Sequence, residues 1–272
     1  MKTMKRFIPF KKYLPFVESD PVVAVLRLQG TISNSSRGLD DISLAPQIEK
    51  AFRGKPVAVA LEINSPGGSP VQSSLIAARI RRLAEEKEIP VFAFVEDVAA
   101  SGGYWLASAA DEIYADRGSM LGSIGVISAG FGLSDLIGRY GVERRVHTAG
   151  KSKSLLDPFQ PQKPQDVERL KVWLEQLHTY FIDHIKSRRG DKLAQDQDLF
   201  TGDVWIGEKA VEVGLADGIG HLVPVLKDRF GEKVRFRRLS QRRSIFQRFG
   251  AQAIHDAIGG IEERAAFGRF GL

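Results

Sequence analysis

"VAVALEINSPGGSPVQSSLIAARIRRLAEEKE", residues 57 to 88, passes from a continuous apolar run to an amphipathic one across a single turn. "VAVALEI" at 57–63 reads as a near-continuous apolar strand, and "SPVQSSLIAARIRRLAEEKE" at 69–88 reads as a helix. A strand apolar on both sides must be covered on both sides, so helices are expected in layers around it. The same reading extends outward. "VVAVLRL" at 22–28, "VFAFV" at 91–95, "EIYA" at 112–115 and "GVIS" at 125–128 are further apolar, β-rich runs, and Gly102 to Ala110 is helical in pattern. Strands alternating with helices predict an α/β fold with a mostly parallel sheet.

Downstream, Leu170, Trp173, Leu174, Leu177, Phe181 and Ile185 follow helical spacing, which predicts one long amphipathic helix from Pro164 to Arg189. Shorter helices are expected at 205–213 and 222–230. These boundaries divide the chain into an N-terminal arm (1–20), a main domain (21–230) and a basic extension (231–272). With 272 residues and 43% hydrophobic content, the chain is long enough to bury one sizeable core. It contains no cysteine, which excludes disulfides, thiolate metal sites and a cysteine nucleophile.

The formal net charge of +6 is concentrated at the two ends. Residues 1–16 hold five Lys or Arg and no acid, and residues 226–272 hold eleven against five acids, leaving the body between them net acidic. That distribution is not one of a nucleic-acid coat. The first segment is interrupted by Pro9 and Pro15 and has no apolar run of secretory or spanning length. The expectation is a cytoplasmic location, with basic, aromatic arms suited to an anionic membrane surface or to a neighbouring subunit.

The motif "EDVAASGGYWLA" at 96–107 brackets Ser101 with nothing larger than a methyl group. Such neighbours expose a hydroxyl and let another backbone approach closely. In a parallel sheet the carboxyl ends of adjacent strands face one crevice. That places Ser101 near the turn of "LEINSPGGSP" at 61–70, where Pro66, Gly67 and Gly68 free backbone N–H groups at the start of a helix. If Ser101 attacks a carbonyl, the N–H groups of Gly68 and Gly102 are candidate oxyanion donors. The G-x-S-x-G elbow is absent, which disfavours an α/β-hydrolase. None of the five histidines sits in a motif-like setting. "HTAGKSKSLLDPF" at 147–159 offers Lys151 and Lys153 instead, either of which could accept the serine proton once desolvated.

"INSPGG", "AASGGYWLASAAD", "GSIGV", "GKSKSLLDPF" and "TGDVWIGEKAVEVGLADGIG", in that order, resemble the signal peptide peptidase A family, the S49 serine peptidases. The likeness spans roughly residues 20 to 230 and implies a ClpP/crotonase-type fold with a Ser-Lys dyad. Carried over residue by residue, it puts the nucleophile on Ser101, the general base on Lys153, the oxyanion glycine on Gly68, with Gly102 beside it, and the lysine-orienting hydroxyl on Ser123. Lys151 becomes a bystander. The resemblance implies cleavage of apolar, unstructured peptide segments such as spent signal peptides, no cofactor or metal, and a ring-like homo-oligomer with sites shared between subunits. A crotonase-type acyl-CoA enzyme and a catalytically silent scaffold at a membrane surface are the alternatives.

Overall fold

The computed structural model describes residues 20–35, 38–150, 152–239 and 264–272. Its elements, in chain order, are β1 (Val22–Gln29), α1 (Asp41–Ala51), β2 (Ala58–Ser65), α2 (Pro70–Lys87), β3 (Val91–Ala100), α3 (Gly102–Ala107), β4 (Glu112–Ala115), β5 (Met120–Gly122), α4 (Ser134–Arg139), α5 (Pro164–Arg189), β6 (Val204–Ile206), α6 (Gly207–Glu212), β7 (Gly218–Ile219), α7 (Leu222–Phe230) and β8 (Arg235–Leu239). The α/β architecture with a mostly parallel sheet is as the sequence predicts. Eight strands form the sheet, and of its pairings β5 with β6 is antiparallel.

The central strand β2 is buried along its whole length between β1 and β3. Leu26 and Leu28 of β1 pack with Leu44 and Ile48 of α1 and with Ile76 and Ile80 of α2 on one face. Val23, Val25, Phe92 and Phe94 pack with Leu222 and Leu226 of α7 on the other. Local chemistry sets the helix starts. Asp40 caps α1 by accepting the Ser43 N–H at 3.0 Å, and Ser69 caps α2 with Pro70 in its first turn.

β3 positions the candidate site because it changes partner along its length. Phe92–Val95 pair with β4, whereas Val98–Ala100 pair with β5. The sheet forks at Glu96 and Asp97, so the upper end of β3, which leads into Ser101, is carried between β2 and β5.

Three expectations need correction. "GVIS" at 125–128 is not a strand: β5 lies earlier, and Gly122 (φ +105°) and Ser123 (φ +49°) turn the chain out of the sheet. The basic extension does not begin at 231, because Arg235–Leu239 is a sheet strand pairing in parallel with β1. Arg237 of that strand donates to the carbonyls of Lys50, Ala51 and Arg53, at the open C-terminus of α1. The long helix α5 forms as expected, yet of its predicted apolar positions Phe181 and Ile185 are buried while Trp173 and Leu177 stay exposed. No described residue from 125 to 165 is buried. Most of the two basic arms, at 1–19 and 240–263, lies outside the described residues.

Candidate active site

Ser101 joins β3 to α3 with φ +53° and ψ −122°, a backbone conformation costly for any residue with a side chain, by about 1–3 kcal/mol. Main-chain bonds hold it there. Its N–H donates to the Gly122 carbonyl at 2.8 Å, and its carbonyl accepts from Tyr104 at 2.9 Å and Trp105 at 3.1 Å. The small bracket around it has a steric cause. A Cβ on Gly102 would lie 2.4 Å from Ser73 Oγ, and one on Gly103 would lie 2.3 Å from the Ser65 carbonyl. The β2–α2 turn therefore presses directly on the start of α3.

That turn brings the second element of the site. Ile32 clamps it by donating to the Gly67 carbonyl at 2.9 Å and accepting from Ser69 at 2.8 Å. In such a parallel bridge the intervening residue, Gly68, directs its own N–H away from Ile32. Gly68 sits at φ +145°, and a Cβ there would be 2.1 Å from the Ile32 carbonyl oxygen, so glycine is required. A Cβ on Gly67 would be 2.8 Å from Gly102 N, and one on Gly102 would be 3.4 Å from Gly68 N. Neither the Gly68 nor the Gly102 N–H has a backbone acceptor among the described residues. Two free donors thus stand together beside the Ser101 hydroxyl, which itself caps no N–H of α3.

A cavity of about 90 Å³ opens beside them, lined by Trp105, Val126, Ile127, Leu177 and Phe181 as well as by Ser101, Gly68 and Gly102. Trp105 forms its deep wall, stacked on Phe181 at 4.7 Å and on His184 at 4.6 Å. Burial, with Arg188 nearby, pushes the His184 imidazole down to about 4, so it stays neutral near pH 7, bonded at 2.9 Å to Ser108 Oγ. Among the described residues no titratable side chain lines the cavity.

The sequence model of peptidase family S49 matches residues 83–229. The chain belongs to peptidase family S49. It is 34% identical over 209 residues to the chloroplastic serine protease SPPA of Arabidopsis thaliana, covering 74% of this chain and 31% of that one. It is 48% identical over 250 residues to a Brucella melitensis protein named Na(+)/H(+) antiporter NhaA, covering 90% of this chain and 33% of that protein. Among the described residues no helix is long and apolar enough to cross a membrane, and the antiporter's name is not carried to this chain. The chain spans about a third of the length of these curated relatives. Among solved structures, a serine-to-alanine variant of the 1510-N membrane-bound stomatin-specific protease shares the fold, with TM-score 0.51, 17% identity, and coverage of 82% of this chain and 99% of that one.

Of the residues singled out in this S49 chain, Ser101, Gly68 and Gly102 come together, and Ser123 follows the residue whose carbonyl holds Ser101. Lys153 does not join them. It lies exposed in a turn, its N–H on the Gly150 carbonyl at 3.3 Å, and it is not among the residues lining the Ser101 cavity. Lys151 lies outside the described residues. The sequence reading missed Ile32, the clamp on Gly68, and the apolar walls from Leu177 and Phe181. Both wall residues stood within a helical stripe, but periodicity alone does not separate a cavity wall from a core face.

Proposed function

We propose that this S49 chain is a serine endopeptidase that hydrolyses peptide bonds in apolar, unstructured segments such as cleaved signal peptides. Ser101 Oγ attacks the carbonyl carbon while Lys153 takes its proton. The oxyanion is held by the N–H groups of Gly68 and Gly102. Collapse of the tetrahedral adduct breaks the C–N bond, and the lysine returns the proton to the departing amine. Water, deprotonated by the same lysine, then cleaves the Ser101 ester. Ser123 orients the lysine. The observation that carries this reading is the strained Ser101 beside two unpartnered main-chain donors and an apolar cavity.

The base comes from a second copy of the chain. Among the described residues the Ser101 cavity has no titratable lining, while Lys153 lies within the segment 125–165, in which no described residue is buried. Phe131 (87% exposed) and Tyr140 (78% exposed) of that segment are apolar surface that a neighbouring copy would cover. A homo-oligomer sharing sites between subunits accounts for both facts. The basic arms bring the oligomer to anionic membranes, which sedimentation with anionic and neutral liposomes at low and high salt would test.

Incubation of the purified chain with an apolar, unstructured peptide and, separately, with an acyl-CoA thioester tests the activity. Peptide cleavage without thioester turnover is expected. Thioester turnover alone, or neither reaction, would overturn the reading.

A further inference from the structure

The geometry points to His178 as a positioning residue for peptide substrate, an inference that rests on the peptidase reading and extends it. His178 Nε2 lies 3.1 Å from the carbonyl oxygen of Ile124. A carbonyl only accepts, so Nε2 carries the hydrogen. Ile124 is fully buried, and the three residues after it, Gly125, Val126 and Ile127, line the Ser101 cavity opposite Leu177 and Phe181 of α5. His178 follows Leu177 in sequence, so one turn of α5 supplies a cavity wall and, by this hydrogen bond, ties down the wall facing it.

Other holds on that facing wall are sparse. Ser123 N–H donates to the Asp203 carbonyl, and Gly125 N–H turns back onto the Ser123 carbonyl at 2.9 Å. From there to Leu133, whose N–H reaches the Pro158 carbonyl, no residue donates a backbone bond outside regular elements among those described. His178 makes the one side-chain hydrogen bond to 123–127 among the described residues. Docking of α5 does not depend on it. The helix is fixed further along, by Phe181 and His184 on Trp105 and by Ile185 in the core. It is tied to α2 by the hydrogen bond between Ser74 and Tyr180 at 2.8 Å. Removing the imidazole therefore loosens the wall against which an extended peptide lies, and leaves Ser101, Gly68 and Gly102 in place.

The test compares wild type with His178→Ala and His178→Gln. The glutamine amide places an N–H donor near the position of imidazole Nε2. Two rates are read for each: kcat/KM for an extended apolar peptide, and the rate of serine labelling by a small fluorophosphonate, which does not span the wall. His178→Ala should lower kcat/KM at least tenfold and the labelling rate less than threefold, and His178→Gln should restore kcat/KM to within threefold of wild type. Three results overturn the inference: peptide cleavage by His178→Ala within twofold of wild type, a parallel loss of labelling and cleavage, or a glutamine variant that folds and is as impaired as the alanine one. If the wild type neither labels nor cleaves, it is the peptidase reading that fails.

Discussion

The N–H of Ser101 donates to the carbonyl of Gly122 across 2.8 Å, so the residue that turns out of β3 is fixed to the residue that ends β5. Both sit at positive φ, as does Ser123 next in line. Backbone geometry, not side-chain contact, thus sets where the candidate nucleophile stands relative to Ser123. Changes that alter only side chains at these positions should leave the framework standing, and changes that oppose the backbone conformation should not.

Gly68→Ala is such a change. Its Cβ would meet the Ile32 carbonyl at 2.1 Å at a φ that alanine resists, costing about 1–3 kcal/mol of stability. Displacing one oxyanion donor should also lower kcat by about 10²–10³-fold. Thermal unfolding and peptide hydrolysis on the same sample check both effects.

Lys153→Ala should abolish hydrolysis, and Lys151→Ala should leave most of it. If the base is supplied by a neighbour, mixing inactive Ser101→Ala and Lys153→Ala chains, with subunit exchange, should restore activity. Random pairing in a closed ring gives about a quarter of the wild-type value. No recovery in a demonstrably mixed oligomer would place serine and base in one chain.

His184 makes stability depend on pH. Burial first, then Arg188, depresses its pKa to about 4 in the folded chain, below the ordinary value of about 6.5. The unfolded chain therefore binds the extra proton between those values. The contribution of His184 is full above about pH 6.5 and is lost progressively as pH falls towards 4. His184→Phe, which keeps the stack on Trp105, should reduce the difference in urea midpoint between pH 7 and pH 4.5.

Leu177 lines the cavity yet is 37% exposed, so replacing it should cost little stability. Leu177→Phe should fill part of the roughly 90 Å³ space and slow cleavage beside leucine more than cleavage beside alanine. Competition between two peptides differing at that one position gives the ratio directly.

The sheet and the corner where Ser101, Gly68 and Gly102 meet were legible because both are written in local composition. β2 begins with a nearly continuous apolar run, so it reads as a central strand, and the small residues around Ser101 and Gly68 mark where backbones must meet. β8 was hidden because its arginines answer partners far away in sequence: Arg237 the end of α1, and Arg238 the carboxylate of Glu62. "GVIS" looked like a strand because its apolar side chains carry no sign of the turn that Gly122 and Ser123 impose before it. The place of Lys153 is unreadable from one chain for a physical reason: an exposed loop lysine acquires a desolvated environment only when something packs over it.

The central claim is that Ser101 is a nucleophile, and labelling followed by mass mapping tests it most directly. Wild-type chain treated with a fluorophosphonate at a pH where peptide cleavage is measurable should carry one adduct, on the peptide containing Ser101. Ser101→Ala, which keeps the Gly122 bond through its own N–H, should fold, carry no adduct and cleave no peptide. An adduct on another serine, or cleavage by Ser101→Ala above about one percent of wild type, would contradict the account.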